Sequence, residues 1–330
     1  MRNITVFAVL VIIKISIPAA GWAETWKNIP VFSVSPGFGM FYGKSDEIVY
    51  APRGFVSPVH SLLVWDMKPV FYYGLQLDYV QLLNRFKFDF FSSLSLKFGI
   101  PGNSGYMEDF DWLSKQNDKL TNYSVHDNTT KELFLLNFSA GLSFPIVYGL
   151  HLRALFDFSY KRFCFFGQGG YIKYARVLDA VNGIYAPIND NPRRESIPKD
   201  EIVINYTQEW LVVSPGISLR YYIIKNLFTE LSFQISPLIM CSDLDEHLKL
   251  NDQYRDYTQW GIYLKPGFQF SYSVLNWLEF SLECSWQYIS GSKGITYKRN
   301  PIGSGLYHLT GNAGTGLSLF DTGLFLKINL

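Results

Sequence analysis

Asp243-Leu244-Asp245-Glu246-His247 sets two aspartates and a histidine at alternate positions, where a long segment of alternating apolar residues runs out. Residues two apart on a strand share a face, so these three side chains point the same way. A carboxylate can fix an imidazole's tautomer, and the imidazole can take a proton near neutral pH; both are parts needed to activate water. A second group, Glu108-Asp109-Phe110-Asp111-Trp112, places two more carboxylates two apart. Such a pair cannot ionise both members cheaply, so it shares a proton. If the two groups face each other, they suit hydrolysis without a covalent intermediate: His247 as base, Asp245 as its orienter, Asp109 and Asp111 as the proton-sharing pair. The same four side chains could instead ligate a divalent ion, but no closely spaced ligand-rich loop accompanies them, and neither metal nor cofactor is expected. Spacing alone is a weak signal, because acidic strings in loops are usually solvated.

The chain that must position these residues has the composition of a membrane barrel. Aromatic residues make up 17% and charged residues only 17% of its 330 positions, with 22 Tyr and 27 Phe. That leaves much apolar surface to cover and few charges to cover it, as in a lipid-facing barrel with aromatic girdles. Met1 to Ala23 carries one early charge at Arg2, an apolar stretch from Val6 to Ile17 broken by Lys14, and small residues at Gly21 and Ala23. Residues 1–23 therefore read as a secretory signal peptide and 24–330 as a single domain. Loss of Arg2 and Lys14 takes 29 basic side chains to 27 against 28 acidic ones, and such a balance gives no reason to expect a nucleic-acid partner. Three cysteines, Cys164, Cys241 and Cys284, are too few and too odd for a disulfide framework. They fall in expected strands and read as small apolar residues.

The dominant period is two. Leu136, Phe138, Ala140, Leu142 and Phe144 alternate with Asn137, Ser139, Gly141 and Ser143; Leu150, Leu152, Ala154, Phe156 and Phe158 alternate with His151, Arg153, Asp157 and Ser159. Ten antiparallel strands are expected, near 31–50, 59–80, 86–102, 131–145, 149–176, 200–225, 226–247, 252–273, 277–298 and 306–329. At up to about 20 residues they exceed the 9 to 11 a bilayer crossing needs, so the barrel should project beyond the membrane. Tight turns at Asn84, Pro145 to Gly149, Lys225-Asn226 and Val274 to Asn276 alternate with connections that include two long polar ones, 103–130 and 177–199. Outer-membrane barrels keep short turns on the periplasmic side. Both acidic groups then lie at exterior strand ends, after the third and seventh strands, nearly opposite across the mouth of a ten-stranded closed sheet.

These elements resemble the omptin family, ten-stranded outer-membrane endopeptidases, from about Phe32 onward. Met107-Glu108-Asp109-Phe110-Asp111-Trp112 is similar to the family's Met-x-Asp-x-Asp-Trp element, and Ser242 to His247 to its Ser-Asp-x-Asp-Glu-His element. Gly43 to Tyr50 resembles the first exterior strand end, and Thr121 to Thr129 agrees in part, with Asn122 and Asp127 as departures. The resemblance implies catalysis by Asp109, Asp111, Asp245 and His247. It also implies a pocket for a basic side chain lined by Glu47 and Asp243, with Met107 beside the substrate, and peptide or protein substrates carrying Arg or Lys. His126 reads as a structural loop histidine. Leu330 stands where such barrels usually end in an aromatic, and Glu209 near where the family turns a basic residue toward lipopolysaccharide. That second departure bears on whether activity needs this outer-membrane lipid.

The expected function is thus an outer-membrane endopeptidase with its groove facing the exterior. The alternative is a non-enzymatic barrel, an adhesin or a small pore, in which these acids are surface charge. A pore would conduct ions and cleave nothing.

Overall fold

Alternation with period two gives a sheet one apolar and one polar face, and closing the sheet sends the apolar face to lipid and removes every edge. The computed structural model describes residues 30–83, 88–303 and 305–330; the expected signal peptide and the turn at Asn84 lie outside the described residues. The wall of the barrel is ten antiparallel strands. They are β1 (Val31–Tyr50), β2 (Val59–Leu83), β3 (Phe88–Gly99 and Gly102–Asp111), β4 (Asn122–Val147), β5 (Leu150–Tyr174), β6 (Ile202–Ile224), β7 (Leu227–Ser236 and Ile239–His247), β8 (Asp252–Gln259 and Ile262–Leu275), β9 (Leu278–Arg299) and β10 (His308–Asn329). Each pairs with the next, and β10 closes on β1 with Asp321 opposite Phe41.

The outer face marks the membrane. On β1 Phe32, Phe38, Met40 and Tyr42 are exposed, and Lys44 and Asp46 follow on the same face. On β6 Ile217, Leu219, Tyr221 and Ile223 are exposed, whereas Glu209 higher on that face accepts hydrogen bonds from Arg162 Nη1 at 2.7 Å and Tyr160 at 2.8 Å. From Tyr42 to Tyr50 the strand runs on for about 26 Å at 3.3 Å per residue, so the barrel does stand clear of the lipid.

Three strands break as they leave this band. Pro101 and Pro237 lie in the interruptions of β3 and β7. In β8 the break holds Trp260 at φ 60° and Gly261 at φ 155°. The upper pieces of these strands carry the acidic groups.

One expectation is corrected. The segment 103–130, read as a long loop, is mostly strand: β3 continues to Asp111, β4 starts at Asn122, and the connection is only 112–121. Above the membrane no lipid holds the outer face apolar, and within 103–130 the inward face is mostly polar (Ser104, Ser124, His126, Asn128 and Thr130), so the apolar alternation fades although the hydrogen-bond ladder does not. The 177–199 connection is also structured, with Val177–Asp179 paired to Ile184–Tyr185 and Arg193–Ser196 added to the edge of β5.

The lumen is polar and holds a cavity of about 250 Å³ whose lining includes Lys97, Arg153, Glu230 and Asp321. Its lower half holds charges compensated in place, Lys97 with Asp321 at 2.5 Å and Arg153 and Arg220 each 2.7 Å from Glu230. Above them an aromatic layer crosses the barrel: the Trp65 ring stacks on Tyr206 at 5.1 Å and on Phe165 at 5.6 Å, with Trp210 and Tyr263 fully buried beside them. The cysteines are unpaired and lie in the wall, Cys164 and Cys241 buried.

Candidate active site

Asp109 and Asp111 project inward from the upper piece of β3, held between β2 and β4: Asp109 lies opposite Leu63 and Ser124, Asp111 opposite Ser61 and Asn122. Short polar neighbours fix them. Ser61 Oγ donates to Asp109 Oδ1 at 3.1 Å and Asn122 Nδ2 to Asp111 Oδ2 at 3.2 Å. Burial pushes the Asp109 carboxyl well above the usual range, and Asp111 beside it adds to this. Burial also raises Asp111, less strongly because Ser61 and Asn122 favour its charged form. The pair therefore favours holding a proton, as two adjacent carboxylates must.

On the upper piece of β7, Asp245 and His247 share the inward face. His247 Nε2 lies 2.6 Å from Asp245 Oδ2, and the edge of Tyr254 from β8 packs on the imidazole at 5.4 Å. Asp245 is 1% exposed and its Oδ1 has no partner, so this carboxylate is committed to the histidine. Burial alone would lower the imidazole's pKa; Asp245, with Asp109 and Asp111 contributing, outweighs it and holds His247 at about 9. The two groups foreseen from sequence are thus brought within electrostatic reach of one another.

Below them Glu47 from β1 and Asp243 from β7 converge on the aromatic layer, 2% and 3% exposed. Tyr206 Oη donates to Asp243 Oδ2 at 3.2 Å and itself accepts from Gln208 Nε2 at 2.9 Å. Burial raises both carboxyls well above their usual values. Asp245 and Asp243 then add to the rise at Glu47, and Asp256 and Asp245 to that at Asp243. Met107 is 2% exposed and belongs to the apolar layer under the acids. His126, expected in a loop, lies on β4 opposite Met107 and is buried, with Nδ1 2.5 Å from the Gly169 carbonyl and Nε2 3.2 Å from Ser124 Oγ.

Sequence reasoning missed Asp256, which lies opposite Asp243 on β8, 1% exposed. A signal for it existed: Tyr254, Asp256 and Thr258 alternate with Arg255, Tyr257 and Gln259. Only the β7–β8 register shows what it faces. Among the described residues the acidic cluster compact enough for a metal ion is Glu47, Asp243 and Asp256, not the set Asp109, Asp111, Asp245 and His247.

The omptin family model matches residues 29–322. The chain belongs to the omptin family. It is 24% identical over 293 residues to the plasminogen activator of Yersinia pestis, covering 85% of each chain. It is 25% identical over 300 residues to the outer membrane protease IcsP of Shigella flexneri, covering 86% of this chain and 87% of that one. Its fold is that of the outer membrane protease OmpT from Escherichia coli, with a TM-score of 0.78 at 20% identity, over 93% of this chain and 99% of the other. This omptin is an outer-membrane β-barrel of a protease family.

Proposed function

We propose that this omptin is an endopeptidase whose groove opens to the cell exterior and which cuts peptides and proteins beside Arg or Lys. The observation that carries the reading is the 2.6 Å bond between His247 Nε2 and Asp245 Oδ2, with Asp109 and Asp111 both acting on that imidazole. With Nε2 committed to Asp245, Nδ1 is the nitrogen left to take a proton. A water held between His247 and Asp109 loses its proton to the imidazole as it attacks the scissile carbonyl. Asp245 fixes the tautomer and stabilises the imidazolium that forms. Asp111 keeps a proton on the pair, so that Asp109 can hydrogen-bond the oxyanion or the water as charge moves.

Glu47 and Asp243 supply specificity. Two buried carboxyls with unpartnered oxygens gain most from a guanidinium or ammonium that donates to both. Met107, beneath them, lines the apolar side of that pocket. The buried aromatic layer across the lumen speaks against a pore. The test is hydrolysis of a fluorogenic Arg-Arg peptide by refolded protein, with and without chelator. Cleavage should survive chelation, and ion conductance without cleavage would support the non-enzymatic barrel instead.

A further inference from the structure

The proposed chemistry leaves Asp256 without a part. It brings a third carboxyl to the pocket assigned above to a basic side chain, and the inference rests on that assignment. One oxygen each of Glu47, Asp243 and Asp256 lies within 4.8 Å of the other two. All three side chains are more than nine-tenths buried. Glu47 Oε2, Asp243 Oδ1 and both Asp256 oxygens have no hydrogen-bond partner. The Tyr206 hydroxyl donates to the other oxygen of Asp243, and the Asp256 backbone N–H and the Thr296 hydroxyl favour the charged forms of Asp243 and Asp256.

Ca²⁺ holds its oxygen ligands at about 2.3 to 2.6 Å, so two ligands of one ion stand at most about 5 Å apart. The three oxygens meet that limit as they stand. A guanidinium or ammonium would contact the same oxygens at about 2.8 Å, so an ion and a basic side chain compete for one set of acceptors. An all-carboxylate donor set selects a hard cation over zinc or copper. We propose that Glu47, Asp243 and Asp256 form a Ca²⁺ site that a substrate's basic side chain must displace, making Ca²⁺ a competitive inhibitor.

The test is calorimetric titration of the refolded, chelator-stripped barrel with CaCl₂, together with the Asp256→Asn and His247→Ala variants, each shown to be folded by heat-modifiable mobility. The parent and His247→Ala should bind one Ca²⁺ per chain, and Asp256→Asn should lose at least about tenfold in affinity with the lost ligand charge. Added Ca²⁺ should raise KM for the Arg-Arg peptide at constant kcat. No uptake by the parent, or equal uptake by folded Asp256→Asn, refutes the site; uptake without a rise in KM refutes the competition. A parent that binds Ca²⁺ and cleaves nothing sinks the proposed function but upholds the site, and one that cleaves without binding does the reverse.

Discussion

At the scale of single residues the proposed chemistry turns on His247, whose pKa is held at about 9. A base must be neutral to act, so kcat/KM should climb as pH rises toward 9. Replacing Asp245 by Asn removes the charge that raises the imidazole. The rising limb should then shift to lower pH while the plateau drops, because an amide does not enforce the tautomer. An unshifted pH profile would remove Asp245 from its orienting role. His247→Ala should cut turnover by a factor on the order of 10² to 10⁴ with the barrel still folded. The same interaction links stability to pH: the raised pKa favours the fold fully below about 6.5, and that contribution is lost as pH rises through about 9. Glu47 and Asp243 should favour Arg over Ala before the cleaved bond by about 2 to 4 kcal/mol, roughly 30- to 1000-fold in kcat/KM. Converting them together to Gln and Asn should flatten that preference. A double variant still selecting Arg as strongly as its parent would show that the pocket lies elsewhere.

At the scale of elements, the ladder decides what is available for cutting. Arg193 and Arg194 form an adjacent basic pair in the 177–199 connection, which reads from sequence as polar and open, its arginines solvated or set against anionic lipid heads in preference to being a site of self-cleavage. In the structure Arg193–Ser196 is hydrogen-bonded along Tyr171 to Tyr174, and the Arg194 guanidinium lies 4.1 Å over the Tyr171 ring. Lys249 also ties Glu195 to the end of β7 at 3.2 Å. A bond in a paired strand must be peeled free before a groove can take it as an extended substrate. Mass spectrometry of aged protein should find the Arg193–Arg194 bond intact in the parent and cut in Tyr171→Ala, where the stacking that holds the strand is gone. The double variant Tyr171→Ala with Asp109→Ala should stay whole. A break in the parent would mean that the strand opens freely.

At the scale of the whole molecule, the lipid band and the broken strands set the acidic groups at one end of the barrel, the end proposed to face the exterior. Tyr42 and Tyr221 lie within the exposed apolar band, and Glu209 and Lys44 lie beyond it on the side of the acidic groups. Protease added to intact cells should therefore cut within 112–121, 177–199 or the shorter connections at that end, and spare Pro145 to Gly149. Cleavage at Pro145 to Gly149 in sealed cells would reverse the barrel. Arg162, which faces outward near the lipid boundary, is already paired with Glu209 at 2.7 Å and Glu132 at 3.3 Å. A lipid phosphate competing for it has two carboxylates to displace.

Much of this was legible in the chain, because period two in a barrel is a direct record of which face meets lipid. It set the ten strands, and with the turn residues their short ends, and it put Asp109, Asp111, Asp245 and His247 at the strand ends remote from the tight turns. The record fails where lipid ends. Above the band no apolar face has to be kept, so β3 and β4 run on through 103–130 without an alternation to betray them. Register is the other thing sequence does not carry, since it is set by ladders between segments far apart. Ser61 under Asp109 depends on it, as does Asp256 opposite Asp243 and beside Glu47, with 208 residues between Glu47 and Asp256. The residue types and their shared faces were decided locally; which of them meet in a buried cluster was decided only when the sheet closed.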